Sequence, residues 1–205
     1  ISIYGTALAD ATQNESTASL PVSLSGVSVS FDADGISQPG HLHFISPGQI
    51  NVQIPWEFQG KSSVKIKVTI GDLQSAVYTL PLAAYSPALF PHGDFAAAQD
   101  ANFADINPDH PARRGDVILL YANGLGAVSN QPRSGEPSGA SETTSTPSVT
   151  IGGINAPVRF SGMTPDSVGL YQVNVMVPAD APTGNQQIVV RIGGVDSKPL
   201  LLPIQ

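Results

Sequence analysis

The chain has 205 residues, enough for two domains of about 90 to 100 residues each, and 41% of them are hydrophobic against 12% charged, with 20 Gly and 18 Pro. Such a profile excludes long charged surface helices and favours short strands joined by tight turns. A net charge of −7, with no cluster of Lys or Arg, excludes nucleic acid as a natural partner, and the lack of cysteine excludes disulfides, thiolate metal sites and thiol catalysis.

The chain starts at Ile1 rather than Met, which reads as a piece of a longer protein whose signal peptide or anchor lies outside it. No stretch approaches the roughly 18 to 20 apolar residues of a membrane helix, so no membrane insertion by this segment is expected.

In chain order, the first strand-like run is Ile1-Ser2-Ile3-Tyr4-Gly5-Thr6-Ala7-Leu8, and a similar run returns at Ile118-Leu119-Leu120-Tyr121-Ala122-Asn123-Gly124-Leu125. Gln49-Ile50-Asn51-Val52-Gln53-Ile54-Pro55 alternates polar and apolar residues, which puts Ile50, Val52 and Ile54 on one sheet face. It returns as Gln172-Val173-Asn174-Val175-Met176-Val177-Pro178. Val64 to Ile70 alternates in the same way, with Lys65 and Lys67 facing water. Val68-Thr69-Ile70-Gly71 with Ser75 and Leu80-Pro81 is matched by Val190-Arg191-Ile192-Gly193 with Ser197 and Leu202-Pro203. Matches in one order at nearly one spacing predict two diverged copies of one module. Asp34-Gly35, Gly71-Asp72, Gly152-Gly153 and Gly193-Gly194 mark hairpins, and Pro55 and Pro178 each end a strand.

The fold class that follows is all-β, two tandem Ig-like antiparallel β-sandwich domains related by internal duplication. Their expected bounds are 1–84 for the first, 85–114 for a Pro-rich linker or crossover, and 115–205 for the second. Ala96-Ala97-Ala98-Gln99 is compatible with a helical turn, and Ser129 to Pro147, rich in Ser, Thr, Gly and Pro, reads as a mobile surface loop.

Several motifs resemble the Solibacter paralogous-family C-terminal domain. They are Ile3-Tyr4-Gly5-Thr6-Ala7-Leu8, Ile45-Ser46-Pro47-Gly48-Gln49-Ile50-Asn51, Pro111-Ala112-Arg113-Arg114-Gly115-Asp116, Tyr121-Ala122-Asn123-Gly124-Leu125-Gly126 and Val168-Gly169-Leu170-Tyr171-Gln172-Val173-Asn174-Val175. The resemblance covers nearly the whole chain. It implies an exported Ig-like module at the end of a large acidobacterial protein, often behind propeller or other repeat domains, with no assigned activity. Phe31-Asp32-Ala33-Asp34-Gly35 departs from the family's short Gly-containing hairpin.

Candidate chemistry is sparse. Asp32 and Asp34 with Gly35 open like a Ca2+ loop, but the distal ligands are missing, and the plainer reading is a turn. Asp100, Asn102, Asp105, Asn107 and Asp109 form an oxygen-rich stretch that would suit Ca2+, or else a loop closed by Asx turns. His41 and His43 share a strand face without an evident third ligand, unless His92 or His110 supplies one. Trp56, Glu57 and Phe58 follow the strand-ending Pro55, where an aromatic beside a carboxylate would suit a sugar. The alternative is a Trp packed against the linker or the other domain. Gln49, Asn51, Gln172 and Asn174 recur opposite the apolar stripe, where they fix register. No Gly-x-Ser-x-Gly elbow exists and there are four Glu residues only, so no enzyme is expected. The leading function is a non-catalytic structural or adhesive module of an exported bacterial surface protein, partnered by that protein's other domains. The alternative is a carbohydrate-binding module, with a glycan or a surface protein as partner.

Overall fold

A computed structural model describes residues 1–15 and 17–205. Its regular structure is strand throughout apart from one 3-10 turn, and it divides into two compact units. Unit 1 comprises Ile1–Ala83 with Pro132–Ser138 and Asp166–Val168, and unit 2 comprises Ala84–Gln131, Gly139–Pro165 and Gly169–Gln205.

Unit 1 carries β1 (Ser2–Tyr4), β2 (Gln13–Asn14), β3 (Ser23–Leu24), β4 (Val27–Ala33), β5 (Ile36–Pro39), β6 (His41–Ser46), β7 (Gln49–Gln53), β8 (Ser63–Ile70), β9 (Leu73–Gln74) and β10 (Tyr78–Pro81). They form two sheets, ordered β1-β7-β6-β2 and β10-β8-β4-β3, with β5 added to β4 and β9 to β8. The alternation does the sorting. Ile50 and Val52 of β7 are buried with Leu42 and Ile45 from β6, while Val27, Val29 and Phe31 of β4 join Val64, Ile66 and Val68 of β8. Both sheets thus give one apolar face to a single core, each fully buried side chain contributing roughly 1.5–3 kcal/mol.

Unit 2 carries β11 (Ala88–Leu89), β12 (Pro91–His92), β13 (Phe95–Ala96), β14 (Ala98–Gln99), β15 (Val117–Asn123), β16 (Ser148–Ile151), β17 (Ile154–Ala156), β18 (Val158–Met163), β19 (Tyr171–Met176), β20 (Gly184–Ile192), β21 (Val195–Asp196) and β22 (Leu200–Ile204). Its sheets are ordered β11-β15-β19-β18, with β14 also on β15, and β12-β13-β22-β20-β16-β17, with β21 on β20. Val173 and Val175 are fully buried, as are Ile188 and Leu202 from the other sheet.

The two units share a strand plan down to register. Tyr4 stands opposite Gln49 as Tyr121 stands opposite Gln172. A bulge at His43 between β6 and β7 has its counterpart at Arg159 between β18 and β19. Ser75 Oγ accepts the Val68 N–H at 3.0 Å, and Ser197 Oγ accepts the Val190 N–H at 3.1 Å. Asp34-Gly35, Gly152-Gly153 and Gly193-Gly194 have positive φ at both residues, as a two-residue type I′ hairpin requires.

Three expectations are corrected. Residues 85–114 are not a connection between domains: they supply β11 to β14, so unit 2 begins at Ala84. Tyr85 belongs to this unit as well, since a Cβ at Gly193 would come within 2.1 Å of its ring and its hydroxyl meets Ser145 Oγ at 2.9 Å. Ala96 to Gln99 form no helical turn, because Phe95–Ala96 pairs with β22 and Ala98–Gln99 with β15. Finally, the stretch from Ser129 to Pro147 is not a free surface loop, since its residues 132–138 are held in unit 1 by hydrogen bonds.

Candidate functional site

The strand β7 ends before Pro55, and the chain turns through a 3-10 turn at Trp56–Phe58. That turn aims its three side chains differently. Phe58 points into the unit 1 core, 2% exposed, with its ring centroid 6.2 Å from that of Phe31. A buried ring cannot meet a ligand, so Phe58 leaves the candidate set. Trp56 is half-buried and Glu57 is exposed.

Both of these engage the segment Pro132–Ser138. The Trp56 N–H donates to Ser134 Oγ at 2.9 Å, and the Ser134 hydroxyl donates to the Glu57 carboxylate at 2.7 Å. Gly135 N–H donates to Gln53 Oε1 at 2.7 Å, and its carbonyl accepts the Leu20 N–H at 2.8 Å. The Leu20 carbonyl accepts from His41 Nδ1 at 3.0 Å, which assigns the proton to Nδ1 because a carbonyl only accepts. Trp56 Nε1 is buried and has no hydrogen-bond partner among the described residues. The corner is thus a closed network with Glu57 and part of the indole at its surface. Sequence reasoning missed Ser134 and Gly135, which lie far from Trp56 along the chain in a stretch without periodicity.

Away from that corner, the outward face of β1, β7 and β6 carries amides. Gln49 Nε2 donates to Asn51 Oδ1 at 2.7 Å, and Ser2 Oγ donates to the same oxygen at 2.8 Å. Tyr4 beside Gln49 is 74% exposed. The counterpart pair, Gln172 Nε2 to Asn174 Oδ1, lies at 2.8 Å. These amides tie residues two apart on one strand face, in keeping with a role in holding the strand surface.

The carboxylates are spent locally. Asp32 accepts from Ser37 Oγ at 2.6 Å, and Asp34 meets Lys61 Nζ at 3.1 Å, an exposed pair of small energetic weight. A shallow open depression of about 460 Å3 adjoins this hairpin, lined in part by Asp32, Asp34, Ser37 and Lys65. In unit 2, Asp100 accepts the N–H groups of Asn102 and Ala104, and Asn107 Oδ1 accepts those of Asp109 and His110, which makes the oxygen-rich stretch a set of Asx turns. Asp105 accepts from Gln99 Nε2 at 3.0 Å, and the Gln99 side chain also accepts the Tyr121 hydroxyl at 2.6 Å. Among the described residues no three His, Asp or Glu side chains cluster as a cation site. His43 and His92 are exposed.

Asp100 also meets His110 Nε2 at 3.1 Å. The Ala104 N–H, then His110, then the Asn102 N–H hold its carboxyl below the ordinary 3.8, against an opposing effect of burial. A depressed carboxyl stabilises the fold above the unfolded-state value, and that contribution is lost as pH falls through the folded-state value. NMR titration of the side-chain carboxyl is expected to place Asp100 below 3.8 and His110→Ala to raise it. A wild-type midpoint at or above 3.8 would contradict the arrangement. Burial disfavours the anion of tyrosine in the same way, pushing the Tyr171 phenol, which donates to the Gly126 carbonyl, up to about 12.

No family model matches the chain, and no curated protein matches it. Among solved structures it is similar to the Bacteroides ovatus mixed-linkage glucan utilization locus protein SGBP-B in complex with a mixed-linkage heptasaccharide, at 15% identity and a TM-score of 0.32. The match covers 87% of this chain and 37% of that one, so the chain spans little more than a third of that protein's length.

Proposed function

We propose that the chain is a non-catalytic structural or adhesive module of an exported bacterial surface protein, built by duplication of one Ig-like sandwich. Strand order supports the Ig-like class. In unit 1, β1-β7-β6 follows the order of immunoglobulin strands B, E and D, and β10-β8-β4 that of G, F and C, with β5 in the C′ place. Unit 2 repeats this as β15-β19-β18 and β22-β20-β16, with β11 in the A place and β17 in the C′ place. The shared bulge and the Ser75 and Ser197 bonds support duplication.

The observation that carries the non-catalytic reading is how the candidate groups are used. Asp32, Asp34, Asp100, Asp105 and His41 each bond a side chain or backbone group of their own unit. The motifs that resemble the Solibacter paralogous-family domain support export and a place beside other domains of a larger protein. A second reading, glycan binding, draws on the exposed Glu57 beside the half-buried Trp56.

A glycan array probed with the intact chain separates the two. The first reading expects a blank array. Glycan binding that Trp56→Ala abolishes while the melting curve stays unchanged would replace it with the second.

A further inference from the structure

The stretch before β15 encloses a small pocket in unit 2, of about 220 Å3. Its floor is apolar: Ile106 and Ala112 are each 4% exposed and Ile118 1%. Its rim is charged. Arg113 and Asp116 line it as the first and last residues of a β-turn, in which the Asp116 N–H donates to the Arg113 carbonyl at 3.2 Å and Gly115 takes a φ of +84°. The turn is fastened in place, because the Gly115 N–H donates to the Val177 carbonyl and the Val177 N–H to the Asp116 carbonyl, each at 2.9 Å.

The ends of a β-turn stand within about 7 Å of each other, close enough for opposite charges to meet. These do not meet. Among the described residues the Arg113 guanidinium and the Asp116 carboxylate make no ion pair or hydrogen bond. Their charged neighbours are already used: Arg114 Nε donates to the Ala181 carbonyl at 2.7 Å, and the Asp100 carboxylate is held by His110 and two backbone N–H groups. The pocket is left with one free cation and one free anion above an apolar floor, and the exposed amide of Asn102 stands at its wall.

The turn that brings Asp100 and Asn102 to this wall also carries Phe103, with φ of +62° and 68% exposure. A phenylalanine in the left-handed region is strained, and an exposed ring gains little from burial, so folding alone gives no reason for it.

We propose that this pocket binds a free α-amino acid with an apolar side chain. The ligand's carboxylate meets Arg113 and its ammonium meets Asp116, since a free amino acid carries both charges on one carbon and so matches two charges on one turn. Its side chain lies toward Ile106, Ala112 and Ile118, and Phe103 adds apolar surface beside Asn102. A peptide holds its terminal charges too far apart for a single turn, and a neutral sugar leaves both protein charges unanswered. The site is independent of the Trp56 corner, and its failure would leave the structural reading untouched.

The test titrates the full chain with L-leucine, L-leucinamide and N-acetyl-L-leucine and follows the backbone amides by NMR. L-leucine is expected to bind saturably and to shift the amides of Asn102, Gly115 and Asp116. Leucinamide, which lacks the carboxylate, and N-acetyl-L-leucine, which lacks the ammonium, should each bind about tenfold more weakly. Arg113→Gln should weaken L-leucine and leave leucinamide unchanged, whereas Asp116→Asn should weaken L-leucine and leave N-acetyl-L-leucine unchanged. Both side chains are exposed, and the two analogues probe the unmodified protein should either variant fail to fold. Phe103→Gly should weaken L-leucine while the melting temperature stays level or rises, because glycine relieves the strain. No saturable binding, equal binding of the three compounds, or losses in the variants that extend equally to the analogues would overturn the proposal. Methyl β-D-glucopyranoside binding at least as tightly as L-leucine would overturn the choice of ligand in favour of a neutral polyol.

Discussion

Phe58→Ala is expected to lower the stability of unit 1 by about 3–5 kcal/mol, the usual cost of emptying a buried phenylalanine site. The ring is 2% exposed and tilts against Phe31, itself fully buried, so its loss leaves a cavity between a 3-10 turn and β4 that neither element fills without moving. Against a domain stability of roughly 5–15 kcal/mol this is a large fraction. Trp56 is the single tryptophan of the chain and sits two residues away, so its fluorescence reports the change. Denaturant melts followed at Trp56 should shift to a clearly lower midpoint. An unchanged midpoint would mean that Phe58 is not a core residue.

Gly135→Ala is the second large effect. Gly135 has φ of +80°, and a Cβ there would lie 2.0 Å from His41 Nδ1 and 2.4 Å from its Cε1. Alanine in the left-handed region costs roughly 1–2 kcal/mol, and the overpacking adds roughly 1–3 kcal/mol. Because the nearest atoms include His41 Cγ at 2.7 Å, rotation of the ring alone does not clear the contact. The segment 132–138 should loosen, and limited proteolysis should cut there in the variant before it cuts the parent. Combining it with His41→Ala removes the collision and leaves only the backbone strain, so the two changes should couple favourably. A cost for Gly135→Ala that is the same with and without the His41 ring would refute the contact.

The long strands were legible in the sequence because burial on one face imposes a period of two. Ile50, Val52, Val64, Ile66, Val68, Val173 and Val175 lie where that alternation put them. The glycine-bearing turns were legible because positive φ restricts residue choice. Residues 85–114 were misjudged since strands of two residues, such as Phe95–Ala96, are too short to show any period. Their partners, β15 and β22, are distant in sequence. Phe58 was misassigned for a related reason: a 3-10 turn at a sandwich end obeys neither strand nor helix spacing, so nothing local marks which of its three side chains points inward. In the candidate site, Asp34-Gly35 and the Asp100 loop matched the plain turn chemistry, whereas Ser134 and Gly135 left no local trace of their bonds to Trp56 and Gln53.

The non-contiguous make-up of unit 1 bears on how the chain is born. Its strands are complete at Pro81, yet Pro132–Ser138 and Asp166–Val168 also belong to it, joined by bonds from Ser138 to Ser167 and from Asp166 to Ser138. On a translating ribosome the first sandwich must therefore wait for pieces encoded well downstream. At about 5–20 residues per second that interval is on the order of 10 seconds. Until then the nascent chain holds a half-finished sandwich with Trp56, Gln53 and His41 uncovered by the late segment, a state that a holding chaperone would meet first.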